Sequence, residues 1–74
     1  MIASIEGVVL SRQPDSLVLS LGGLGVRVYA PADVLAKQRP GDILFLHTYL
    51  HVREQEMTLY GFASEQDLAL FQLL

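Results

Sequence analysis

Turn-forming residues divide most of this chain into apolar runs that are too short for ordinary helices. The dividing segments are Pro-Asp-Ser at 14–16, Gly-Gly-Leu-Gly at 22–25, Arg-Pro-Gly-Asp at 39–42 and Glu-Gln-Glu at 54–56. Proline favours turns because its ring fixes φ, and glycine does so because it accepts positive φ without a steric penalty. We therefore expect short strands, rather than long helices, as far as Phe62.

Alternation of apolar and polar side chains within the runs supports this expectation. It predicts strands near residues 2–13, 17–21, 26–30, 43–53 and 57–62, with a single helical turn or 3₁₀ segment at 31–37. The fourth strand has two distinct faces. One face is predicted to be core and carries residues 44, 46, 48, 50 and 52; the other is mixed and carries residues 43, 45, 47, 49, 51 and 53.

The end of the chain has a different pattern, which is typical of a helix start. Ser64 and Asp67 have the spacing of a capping box, with Ser64 at the N-cap. The apolar residues that follow have helical spacing, and no glycine, asparagine or proline stop signal ends them. We expect one domain at 1–63, and at 64–74 the start of a helix that leads into a further domain of a longer protein.

Five short strands with one small helical insertion predict an all-β protein, a five-stranded OB-fold Greek-key barrel with a short C-terminal helix. An SH3-like barrel and a strand-swapped sheet remain alternatives, because the pattern does not separate them. Gly22, Gly23 and Gly25 are predicted to form a hairpin turn between the second and third strands.

Composition excludes several classes of protein. The hydrophobic content is 51% and the formal net charge of the 74 residues is −3, which is not the composition of a disordered chain. The uncharged stretch at 16–26 contains three glycines and is shorter than the roughly 20 apolar residues of a transmembrane helix. The acidic balance argues against a general nucleic-acid binder, but it is local, because residues 1–53 carry a net +1 and residues 54–74 carry −4.

The sequence contains no recognisable catalytic or metal-binding motif. The chain contains no cysteine. His47 and His51 would stand roughly 13 Å apart on a strand, too far to share one metal ion. Glu54 and Glu56 have the residue type of a glycosidase acid–base pair, but an exposed loop gives both the same solvated surroundings. We expect no catalytic residue, no metal site and no cofactor in this chain.

Aromatic residues offer a weak case for single-strand binding. Tyr29, Phe45, Tyr49 and Tyr60 could stack on bases, but the basic residues around them are sparse. The residues alone therefore indicate a small β-barrel interaction module, whose most unusual feature is the acidic segment at 54–56.

The order of several motifs resembles the N-terminal domain of the RuvA family, which recognises Holliday junctions and works with the RuvB motor. The motifs are M-I-x-S-I-x-G-x-V at the start, G-G-x-G at 22–25, H-T-x-L at 47–50, V-R-E at 52–54, L-Y-G-F at 59–62 and L-F-x-L-L at 70–74. The resemblance spans essentially the whole chain.

This resemblance implies an OB-fold domain that continues into tandem helix-hairpin-helix motifs and a small C-terminal domain that contacts RuvB. The implied partners are four-way junction DNA, further copies in a homotetramer, a RuvB-type hexameric ATPase and a RuvC-type resolvase. ATP and magnesium would be used by the motor and not by this chain. The implied setting is the cytoplasm, without a membrane, in recombination, repair and the SOS response to DNA damage.

The family's acidic pin falls on the loop after Arg53. Glu54 matches the first pin acid, the second position is Gln55 where an aspartate is usual, and a carboxylate returns at Glu56. A shift of one residue along a strand turns a side chain to the other face, so the sequence leaves open whether Glu56 replaces the missing charge. Arg53 matches a basic position and is the candidate for a DNA-backbone contact. The alternative function is a barrel for protein interaction or oligomerisation that does not bind DNA.

Overall fold

The computed structural model describes residues 3–73. Its elements in chain order are β1 (Ser4–Arg12), β2 (Ser16–Leu21), β3 (Leu24–Tyr29), α1 (Ala32–Ala36), β4 (Ile43–Arg53), β5 (Glu56–Phe62) and α2 (Glu65–Gln72). All five predicted strands are confirmed, and their ends shift by at most two residues. The predictions for Met1, Ile2 and Leu74 lie outside the described residues.

The five strands form a closed barrel in the order β1-β2-β3-β5-β4, and β4 returns to pair with β1. β1 can serve two neighbours because Ser4–Val8 pair with β4 whereas the part from Val8 to Arg12 pairs with β2. The contact between β3 and β5 is parallel and joins Tyr29 to Tyr60. This closure confirms the OB-fold and excludes the SH3-like barrel and the strand-swapped sheet.

The core lies inside the barrel and under α1. Its buried members are Val9, Leu17, Leu19, Val28, Val34, Leu35, Leu46 and Leu59. The predicted inner face of β4 is correct for Leu46 and Thr48, which are almost completely buried. It is wrong for Val52, which is 62% exposed because it lies beyond the region where β1 covers β4.

A tight turn of two glycines joins β2 to β3. Gly22 and Gly23 have φ values of 63° and 98°, so both adopt the left-handed conformation that glycine accepts most readily. Leu21 already pairs with Leu24, which closes the hairpin after these two residues. Gly25 was also predicted in the turn, but it lies in β3, where it pairs with Ser20.

Helix α2 begins as the capping pattern predicts, since the Ser64 Oγ accepts a hydrogen bond from the Asp67 backbone N–H at 3.1 Å. Its Phe71 ring packs on the outer side of the barrel, with its centroid 4.9 Å from that of Tyr60 and 6.2 Å from that of Tyr49. The mixed face of β4 is therefore partly covered.

Candidate functional site

The β4–β5 hairpin extends beyond the closed part of the barrel. β1 pairs with β4 as far as His47, and β3 meets β5 at Tyr60. Residues 50–59 pair with each other and, within the described part of the chain, with no third strand. We call these residues the ribbon. At about 3.3 Å per residue, the step from Leu50 to Arg53 carries the strand roughly 10 Å outward.

The tip of the ribbon, residues 53–56, carries the predicted pin. Arg53 pairs with Glu56, and Glu54 and Gln55 form the turn between them. All four side chains are exposed. No non-glycine residue among 3–73 has a positive φ, so this turn differs from the left-handed turn at Gly22 and Gly23.

Glu56 lies directly across the ribbon from Arg53, and the side chains of direct cross-strand partners share one face of a sheet. This places Glu56 on the outer face of the ribbon, together with Arg53 and His51. Glu54 and Gln55 occupy the turn itself. The two carboxylates therefore belong to one tip but hold different positions, one in the turn and one in the strand.

Arg53 is held by a neighbour on its own strand. Its Nε donates a hydrogen bond to Nε2 of His51 at 3.1 Å. The guanidinium has five N–H donors, and this contact uses one of them, so four donors remain for a ligand such as phosphate. A shallow depression beside this pair is lined by Tyr49, His51, Arg53, Tyr60, Phe71 and Gln72.

The inner face of the ribbon is apolar and exposed. Val52 and Met57 are cross-strand partners, with 62% and 69% of their surfaces exposed. On the same face, the next pair toward the barrel is Leu50 and Leu59, of which Leu59 is only 7% exposed. The apolar stripe of the core thus continues outward past the point at which the barrel covers it. Sequence reasoning missed this pair because alternation does not reveal where a barrel ends.

The other sequence candidates do not assemble into a site. His47 lies edge-to-face against Phe45 with ring centroids 5.1 Å apart, whereas His51 accepts from Arg53. Among residues 3–73, no group of three or more His, Asp or Glu side chains could hold a metal ion. No helix in this part of the chain is long and apolar enough to cross a membrane. The rings of Tyr49 and Tyr60 contact Phe71, so α2 occupies part of the predicted stacking surface.

Comparison with known proteins agrees with this architecture. Residues 1–61 match the family model described as the RuvA N terminal domain. The chain belongs to the RuvA family. It is 47% identical over 75 residues to the Holliday junction branch migration complex subunit RuvA of Natranaerobius thermophilus, and 47% identical over 75 residues to that of Chloroflexus aggregans. The RuvA of Salinispora tropica is also 47% identical, over 74 residues.

All of this chain aligns with each of these three relatives, but it covers 35%, 38% and 37% of their respective lengths. The chain thus spans a little more than a third of the RuvA proteins that it matches. The aligned region is their N-terminal part.

Proposed function

We propose that this chain is the junction-facing domain of a protein that binds four-way DNA junctions and promotes branch migration. The observation that carries the proposal is the exposed acidic tip, raised from the barrel on a two-stranded ribbon. The names of the RuvA relatives, which identify them as Holliday junction branch migration complex subunits, support the same function.

The proposed role of the tip is electrostatic. Glu54 and Glu56 repel phosphates, so duplex DNA is disfavoured directly over the tip and its strands are guided to either side. Attraction comes from basic groups outside the turn itself, and the candidate in this chain is Arg53, which directly precedes the turn. Neither effect depends on base identity, so the protein would recognise four-way shape rather than sequence.

The proposed assembly is a homotetramer in which four tips meet near the crossover of the junction. Its proposed partners are a RuvB-type hexameric ATPase, which would use ATP and magnesium, and a RuvC-type resolvase. This chain would contribute no cofactor-binding residue. Because the proposed substrate is bacterial DNA, we place the complex in the cytoplasm.

An electrophoretic mobility shift experiment on the intact protein tests junction recognition. We expect tighter binding to a four-way junction than to a linear duplex of the same total length. Equal, weak affinity for both DNAs would contradict the proposal.

Removal of the tip charges tests the role of the pin. In Glu54→Gln with Glu56→Gln, we expect junction binding that is unchanged or tighter and an altered rate of branch migration with the ATPase. Glu6→Gln is the matched control, because Glu6 is an exposed acid on the barrel wall. Weakened binding with normal migration would show that the acids of this tip do not act as a pin.

A second candidate function is a protein-interaction barrel that does not bind DNA. It is favoured by an exposed apolar pair on the outer face of β1 and β4, where Val8 and Ile43 are direct partners with 40% and 74% of their surfaces exposed. Phe45 is 47% exposed on the same face of β4. If this function is correct, Ile43→Ser should weaken self-association, measured by light scattering, while DNA binding is absent in both forms.

A further inference from the structure

The inner face of the ribbon is apolar, so it suits an uncharged ligand, which the acidic tip would not attract. We propose that Val52 and Met57 form an apolar platform that contacts unpaired DNA bases at the crossover of the junction. This inference rests on the proposed function, because it requires the ribbon to enter a four-way junction.

The barrel fold does not require Val52 and Met57 to be apolar. Val52 and Met57 are 62% and 69% exposed, whereas Leu59, two residues along β5 on the same face, is 7% exposed. Stabilisation by apolar burial is proportional to the area removed from water, so the outer pair contributes little to the barrel. Two large apolar side chains are nonetheless placed opposite each other on a ribbon with two free edges.

The charge beside the pair restricts which ligand it can bind. Glu54 lies in the turn two residues from Val52 and carries negative charge at the end of the inner face, whereas Glu56 lies on the outer face. A phosphate approaching the inner face would meet the nearby carboxylate of Glu54 and would find no hydrogen-bond donor on the side chains of Val52 and Met57. The ligand that fits is therefore uncharged and apolar on at least one surface.

In DNA, the face of an unstacked base is a surface of this kind. In a continuous duplex the faces of the bases are stacked on each other, and apolar side chains reach them only where stacking is broken. The crossover of a junction is such a place, because strands change partners there. Valine and methionine side chains can then cover the exposed face of a base, while Glu54 in the turn repels the backbone.

The experiment compares two junctions, one fully paired and one with unpaired thymines at the crossover. Binding of the intact protein is measured by mobility shift, with a linear duplex as the third DNA. We expect the native protein to prefer the junction with unpaired bases. Val52→Thr with Met57→Gln should reduce that preference about tenfold, the order expected when burial of apolar side-chain surface is lost. Val52→Ile with Met57→Leu should preserve the preference, because the face stays apolar.

Leu24→Gln is the matched control, since Leu24 is 65% exposed on the other hairpin. It should leave the preference unchanged, and thermal unfolding should confirm that every variant folds. A native protein without preference for unpaired bases, or a Val52–Met57 variant that keeps the preference, would overturn the platform while leaving junction recognition intact. Loss of the tetramer in that variant, seen by light scattering, would instead identify a second copy as the occupant. Equal binding to junction and linear duplex would refute the proposed function itself.

Discussion

The β2–β3 and β4–β5 hairpins each have a turn of two residues, but the types of residue in the two turns differ. Gly22 and Gly23 connect the Leu21–Leu24 pair of β2 and β3, with φ values of 63° and 98°. Glu54 and Gln55 connect the Arg53–Glu56 pair, and neither has a positive φ. The first turn uses residues that match the twist of the flanking strands, whereas the second presents charge and amide groups to solvent.

The packing of the flanking strands explains why the two hairpins differ in sequence. β2 pairs with β1 on one side and β3 on the other, so its hairpin is part of the barrel wall and Leu19 is completely buried. The ribbon leaves the wall, and Met57 on its inner face is 69% exposed. Packing therefore restricts the sequence of the first hairpin strongly and that of the ribbon weakly. Side chains of the ribbon are therefore available to contact a ligand, because packing does not restrict them.

The largest expected contrast lies on the inner faces of the two hairpins. Leu19→Ala should lower the free energy of unfolding by about 2–5 kcal/mol, because it leaves a cavity in the core. Met57→Ala should change it by less than about 0.5 kcal/mol, as expected for an exposed position. Urea denaturation of both variants measures the difference. A cost for Met57→Ala as large as that for Leu19→Ala would mean that the ribbon is packed against the barrel.

The next contrast lies in the turns. Gly23→Ala forces a residue with a Cβ into φ near 98°, and a left-handed conformation costs about 1–2 kcal/mol for a non-glycine residue. Gln55→Ala has no such strain and should stay within about 0.5 kcal/mol of the native protein. Thermal unfolding of the two single variants checks this ranking. Equal midpoints would remove the conformational distinction between the turns.

The smallest contrast concerns two arginines. The Arg27 Nη1 donates to the buried Ser16 Oγ at 2.9 Å, so Arg27→Gln should destabilise the barrel by about 1 kcal/mol. Arg53 contacts the partly exposed His51, so Arg53→Gln should leave stability nearly unchanged.

For DNA binding, we expect the larger effect from Arg53→Gln and the smaller one from Arg27→Gln. Arg53→Gln should weaken junction and duplex binding alike and reduce the salt slope of log K by about 1, as expected for the loss of one phosphate contact. Titrations at several salt concentrations measure this slope. An unchanged slope for Arg53→Gln, or a reduced one for Arg27→Gln, would assign the phosphate contact elsewhere.

Particular residues show how far sequence reasoning reaches in this protein. Alternation correctly predicted Leu46 and Thr48 as buried, and the Ser64 cap was found from four residues of sequence. The same alternation wrongly predicted Val52 as core, because its position in the pattern is identical to that of Leu46. The contact between Arg53 and His51 was not predicted, although their spacing places both on one face of β4.

The sequence by itself determined the strands, the glycine turn, the helix start and the acidic composition of the tip, since these depend on neighbouring residues. Only the tertiary structure decided where the barrel closes, and hence which apolar residues remain exposed. Gly7 illustrates the reason, because a Cβ there would lie 2.5 Å from the backbone oxygen of Ser20. That contact exists because β1 passes from pairing with β4 to pairing with β2 at this point. A strand that is distant in sequence therefore decides whether a side chain larger than that of glycine fits at position 7.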